Sequence, residues 1–180
     1  MNEERPELRL VPVRALTTAG WITGTLHVPR AMPLLDFLEE DRTFVSLSEA
    51  RLPTGNDVPF FALAKSAIVL LQPKPEELVE AVTRTSGRSR LRQVSCFFDG
   101  GLVMGTLALP GDHRVSDELL AAKGFVVLGH CTIGVDAPTK APVMEAGIHV
   151  IVHAPRLIGG QRCAAAGVAC ATLLAVAEAV

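Results

Sequence analysis

From Trp21 to Val28 the chain alternates: Ile22, Gly24, Leu26 and Val28 share one face, while Trp21, Thr23, Thr25 and His27 share the other. Successive side chains of a β-strand point to opposite sides, so this period of two predicts a half-buried strand. The pattern returns 81 residues later, where Val103, Gly105, Leu107 and Leu109 take the inward positions. A turn precedes each stretch, Thr17-Thr18-Ala19-Gly20 in the first and Asp99-Gly100-Gly101 in the second. Asp-Gly between apolar runs is a strong hairpin signal, so an antiparallel strand is expected before each of these strands. A glycine in the middle of both strands, at 24 and 105, predicts a bulge or a close approach of two backbones.

The recurrence extends well beyond one strand. With an offset of 81, residues 20–52 match residues 101–133 without a gap at ten positions: Gly20, Gly24, Thr25, Leu26, Pro29, Asp36, Leu38, Phe44, Val45 and Leu47 meet identical residues. Average residue frequencies of about 6 % would give roughly two. Upstream, Arg9-Leu10 and Val13 meet Arg90-Leu91 and Val94; downstream, with one or two residues of slippage, Pro59-Phe60-Phe61 through Ile68-Val69-Leu70 meets Pro142-Val143-Met144 through Val150-Ile151-Val152. Self-similarity of this length outweighs any reading of a single segment.

Within a copy, Leu34 to Leu38 and Val115 to Leu120 read as short helices, the second with Ser116 as N-cap and two acids in its first turn. Phe44 to Leu47, Phe60 to Leu63 and Ala67 to Leu71 read as three further strands. The expected fold is therefore mainly β with short helices: two tandem five-stranded units, barrel-like or sandwich-like, each with a short helix between its second and third strands. The expected boundaries are 8–73 for the first unit, 74–88 for a helical linker opened by Pro75 and early acids, 89–155 for the second unit, and 156–180 for an Ala-rich apolar C-terminal helix. In that last segment Cys163, Gly167, Cys170 and Leu174 fall at helical spacing and form a candidate partner-binding face. Its small residues and Glu178 argue against a membrane span.

Composition narrows the function classes. Apolar residues make up 49 % of the chain and charged ones 20 %, enough for buried cores and unlike a disordered chain. With no Tyr, one Trp and a net charge of −2, the chain has little of the stacking and positive charge that nucleic-acid binders use. The acidic start lacks the apolar run of a secretory signal, so a cytoplasmic location is expected. The four cysteines, Cys96, Cys131, Cys163 and Cys170, form no Cys-x-x-Cys pair and fit reduced structural thiols.

The series Gly-x-Leu-His-x-Pro, Leu-x-Asp-x-Leu, Phe-Val-x-Leu-x-x-Ala and a closing Ile-Val-Leu-x-x-Pro strand, in residues 20–73 and more loosely 101–155, resembles a family of small bacterial domains of unknown function with the signature Arg-Leu-Ser-Asp-x-Leu-Asn. Neither copy keeps the closing asparagine: the matching stretches are Pro33-Leu34-Leu35-Asp36-Phe37-Leu38-Glu39 and Arg114-Val115-Ser116-Asp117-Glu118-Leu119-Leu120. More distantly, the strand order is similar to the five-stranded Sm-like barrel, a resemblance that implies a small closed sheet and RNA binding or ring assembly. The Asp-x-x-x-Asn element of Sm-like proteins is absent after Leu26 and Leu107, and Ala64-Lys65 and Ala146-Gly147 replace their Arg-Gly turn.

Candidate chemistry is sparse. Arg84, Arg88, Arg90 and Arg92 form the one basic concentration and are candidate phosphate contacts, or else a charged guard on a strand edge. His130, Cys131 and His149 could build a zinc site, although copy one has Glu49 and Ala50 where copy two has His130 and Cys131. His149 and His153 share a strand face about 13 Å apart, too far for one ion. Asp36 and Asp117 recur across the copies and suit helix capping as well as acid–base work. No nucleophile elbow, phosphate-binding loop or His-Glu-x-x-His is present. The expected function is a non-catalytic interaction or scaffold protein, self-associating or binding a protein partner, with no cofactor; the alternatives are an Sm-like nucleic-acid binder using Arg84 to Arg92 and a metal-dependent enzyme around His130, Cys131 and His149.

Overall fold

The computed structural model describes residues 7–78, 89–122, 124–137 and 140–162, and they are mainly β. Ten strands form one antiparallel sheet: β1 (Leu8–Thr17), β2 (Gly20–Pro29), β3 (Phe44–Arg51), β4 (Asp57–Ala64), β5 (Ile68–Pro73), β6 (Ser89–Phe98), β7 (Gly101–Pro110), β8 (Phe125–Ala137), β9 (Lys140–His153) and β10 (Leu157–Arg162). The helices α1 (Leu34–Glu39) and α2 (Val115–Ala121) follow β2 and β7. Across the sheet the order is β10-β6-β7-β8-β9-β5-β1-β2-β3-β4. Each half thus has the same internal order, and the halves meet where β9 pairs with β5 at Leu70↔Val152 and Leu71↔Ile151.

The repeat in the sequence is a repeat in pairing. The β1·β2 register runs from Leu8↔Pro29 to Thr17↔Gly20, and that of β6·β7 from Ser89↔Pro110 to Phe98↔Gly101, which is the same register displaced by 81. The expected hairpins are present. In the first, Thr17 Oγ1 donates to Gly20 O at 2.8 Å and accepts from Ala19 N–H at 3.2 Å; in the second, Gly100 takes a φ of +84°, which glycine adopts without penalty.

Later in the copies the equivalence changes. Phe44 pairs with Ala64 and Phe125 with His153, and the turns Lys65–Ala67 and Ala154–Arg156 lead into β5 and β10, so the offset has grown from 81 to 89. The added residues lengthen β8 and β9 to 13 and 14 residues, against 8 each in β3 and β4. The expected match of Ile68-Val69-Leu70 with Val150-Ile151-Val152 is therefore corrected: Ile68 corresponds to Leu157, and Val150–Val152 belongs to β9. Likewise residues 157–162, expected at the start of a C-terminal helix, are strand β10, because they pair with β6 from Phe98 to Val94. Residues 163–180 lie outside the described residues. Of the expected helical linker, Pro75–Leu78 is a single 3-10 turn and 79–88 lie outside the described residues.

Alternation places the core. In β7, Val103, Gly105, Leu107 and Leu109 are buried, as the period of two predicts. Two hydrophobic clusters result. One gathers residues from β1–β5 and α1 and takes in Phe125 and Ile151 of the second half; the other gathers residues from β6–β9 and takes in Leu16, Val69 and Leu70 of the first. Among the described residues β4 pairs only with β3 and β10 only with β6, so neither half closes through a hydrogen-bonded seam between its last two strands. Also among them, no helix is long and apolar enough to cross a membrane.

The α2 cap differs from expectation. Arg114 occupies the N-cap and its backbone N–H donates to Asp117 Oδ2 at 3.3 Å, while Ser116 lies inside the first turn with its Oγ 3.3 Å from Asp117 Oδ1. Asp117 is thereby a capping carboxylate, and Asp36 sits in the first turn of α1, where the helix dipole favours it.

Candidate functional site

The central feature is a bulge that appears twice. Register shifts between Thr23 and Thr25 in β2·β3 and between Met104 and Thr106 in β7·β8, flanking Gly24 and Gly105. A Cβ on Gly24 would stand 3.2 Å from Leu47 Cβ and 3.3 Å from Ser48 O; a Cβ on Gly105 would stand 2.7 Å from Cys131 Sγ and 3.2 Å from Gly129 O. The two glycines fill equivalent notches where neighbouring backbones approach, as expected. Opposite them, Glu49 and His130 are the two described non-glycine residues with positive φ, each at +50°. They occupy equivalent positions, so this costly conformation belongs to the shared bulge.

In copy two the bulge shapes one wall of a cleft of about 430 Å³. Leu91, Thr106, Phe125, His130 and His149 line it, and across from them Leu35 and Glu39 arrive from α1 of the other copy. The site is thus built at the junction of the halves. His149 lies over Gly129, where a Cβ would meet its ring at 3.1 Å, and its ring centroid is 5.3 Å from that of His130. Burial holds the His149 pKa below the ordinary histidine value, and the neighbouring His130 adds to this. Glu118, 3.5 Å from His113 Nδ1, also lines the cleft. Two imidazoles on apolar walls can donate or accept hydrogen bonds to a small ligand or a side chain.

The three residues flagged for metal binding separate into two environments. His130 and His149 share the cleft, whereas Cys131 points into the core and is fully buried. Burial raises its thiol to about 12; a hydrogen bond with the Val150 backbone lowers it and Cys96 raises it further, so it stays protonated at neutral pH. Among the described residues no three His, Cys, Asp or Glu side chains gather in an arrangement able to hold a metal ion. His153 lies apart from the cleft, stacked on Phe125 at 4.7 Å with Nδ1 3.1 Å from Ile68 O across the junction.

Of the basic run, Arg90 and Arg92 lie on β6, Arg90 in an exposed pair with Asp112 at 3.3 Å; Arg84 and Arg88 lie outside the described residues. Cys163, Gly167, Cys170 and Leu174 also lie outside them. Leu35 and Glu39 had no signal in the sequence, because nothing local says that a helix of copy one will face a strand of copy two; Glu118 was legible only as a first-turn acid of its helix.

No protein-family model, curated protein or solved structure matches this chain.

Proposed function

We propose that this chain is a non-catalytic interaction protein, a scaffold made from a duplicated small β-unit that joins other β-units through its sheet edges. The observation that carries this reading is the β5·β9 junction, where two copies associate strand to strand and exchange core residues. On this reading each half is a curled, barrel-like unit, since each cluster draws on all the strands of its half except β10 in the second, and on helix α1 in the first. The cleft at the junction has the size and apolar walls of a site for a small ligand or a docked side chain. A nucleic-acid role has less support, because Arg90 is already paired with Asp112. A metal-dependent reaction has less support too, because Cys131 is a buried, protonated thiol turned away from His130 and His149.

Cross-linking of the full chain in its native cell, followed by mass spectrometry, tests the proposal. Protein adducts on β3 or β4, to another copy or another protein, are expected. A chain that forms none, and is instead retained on nucleic acid in a salt-dependent way, overturns it.

A further inference from the structure

The internal junction is a template for contacts between chains. It uses β5 and α1 of copy one on one side, and β8 and β9 of copy two on the other. The equivalents of the first set are β10 and α2, and those of the second are β3 and β4. These lie at opposite ends of the sheet: β10 is one edge and β4 the other. Among the described residues β10 and the β3·β4 pair, the counterparts of β5 and β8·β9, therefore meet no further strand, and these two edges are complementary.

The apolar surface reports the same gap. Phe125 is 5 % exposed because it enters the core cluster of the other copy; its equivalent Phe44 is 55 % exposed. His149 lines the cleft half-buried, and its equivalent Phe60 is 62 % exposed; Leu91, which also lines the cleft, is as exposed as its equivalent Leu10. Across the cleft, Glu39 arrives from α1; its equivalent on α2 is Leu120, the most exposed large apolar residue described, at 85 %. Phe44 and Phe60 thus stay exposed at the two positions that the internal junction covers in Phe125 and His149, while Leu120 stands on α2 at the position from which Glu39 reaches the cleft. Scattered single apolar residues are ordinary on surfaces, but two aromatic rings on neighbouring strands that both map onto one covered interface are not.

We propose that copies of this chain associate head to tail, with β10 of one chain adding to β4 of the next in the register Gly159 opposite Leu63 and Gly160 opposite Ala62, and with Leu120 covering Phe44. This follows Leu70↔Val152 and Leu71↔Ile151 of the internal junction, displaced by 89. The contact is heterologous, so it propagates until the rotation closes a ring or the chain runs on as a filament. It also completes a second cleft, in which Leu10, Phe44 and Phe60 of one chain face α2 of the next and Glu49 stands in the place of His130. The proposal rests on the interaction-protein reading and names its partner as a second copy.

Sedimentation velocity on the purified full chain tests it. The wild type is expected to sediment as species of more than two chains. Phe44→Glu blocks one face and Leu120→Glu, which brings a carboxylate towards Glu49 of the next chain, blocks the other; each alone is expected to weaken association about tenfold or more, the factor that burial of one large apolar side chain represents. Mixed in equal amounts, the two variants keep one good face each and form a two-chain particle that grows no further. Both positions are exposed in the single chain, so circular dichroism stays at the wild-type signal, and the unfolding midpoints agree at concentrations low enough to dissociate the wild type; if Phe44→Glu fails to fold, Phe60→Glu carries the same test. A wild-type monomer, a wild-type dimer that does not grow, or variants that keep the wild-type mass overturn the proposal. A monomer that still cross-links to other proteins removes this inference and leaves the interaction-protein reading standing.

Discussion

Copy one and copy two share a register, a bulge and a pair of notch glycines, yet the same position can be core in one and surface in the other. Phe125 is buried between the halves while Phe44 faces solvent, and His130 and His149 sit where copy one has Glu49 and Phe60. Secondary structure here follows from the repeated pattern alone, but burial depends on what lies next to the unit. The shared strand order and register of the two halves act as an internal control: features common to both belong to the fold, and features that differ belong to the junction or its chemistry.

The largest effect is expected from truncating the two phenylalanines. Phe125→Ala should cost about 3–5 kcal/mol in urea unfolding, whereas Phe44→Ala in the dissociated chain should cost less than about 1 kcal/mol. Equal costs would erase the distinction. The notch glycines come next. Gly105→Ala should destabilise by about 1–3 kcal/mol because its Cβ meets Cys131 Sγ at 2.7 Å, and Gly24→Ala by less, since its nearest contact is 3.2 Å. Cys131→Ala combined with Gly105→Ala should recover part of that loss, a coupling that a thermodynamic cycle reads directly.

A pH dependence of smaller size separates the copies further. Burial is the leading cause that lowers the pKa of both His149 and His153, with His130 and Arg156 adding to it and a hydrogen bond to Ile68 O opposing it at His153. A histidine with a depressed folded pKa binds fewer protons folded than unfolded, so its contribution is present above the unfolded value near 6.5 and is lost as pH falls below it. Chemical denaturation between pH 8 and 5 should show stability falling on acidification, and His153→Gln should flatten the curve. The smallest effect belongs to Arg90→Ala, a few tenths of a kcal/mol, because its partner Asp112 is also exposed.

Much of the fold was legible because alternation and duplication are local signals. The inward face of β7, the hairpins and the close approach at Gly24 and Gly105 all follow from spacing. The end of copy two did not, since the extra residues that lengthen β8 and β9 moved the true partner of Ile68 to Leu157, while Val150-Ile151-Val152 offered a more apolar match nearby. The joining of the halves was also hidden. Strand addition uses main-chain groups, which every residue carries, and so leaves no mark in composition. Of the cleft, His130 and His149 stood out as chemistry-bearing residues, but Cys131, next to His130 in sequence, points into the core, because the bulge turns Gly129 and His130 to the cleft and leaves Leu128 and Cys131 buried.

The paired bulges have one more consequence. A one-residue slide of β2 over β3 would push Thr23 or Thr25, each with a β-branched side chain, into a notch that fits Gly24, so the bulge is a key that admits one alignment. Both keys follow the same design, however, a glycine set against a positive-φ residue, so β8 offers β2 a rival partner to β3. The choice between these partners falls to the short connections of residues 30–43 and 111–124, since closing either is entropically easier than spanning from β2 to β8. Lengthening those connections would invite exchange of strands between the halves, or between two molecules.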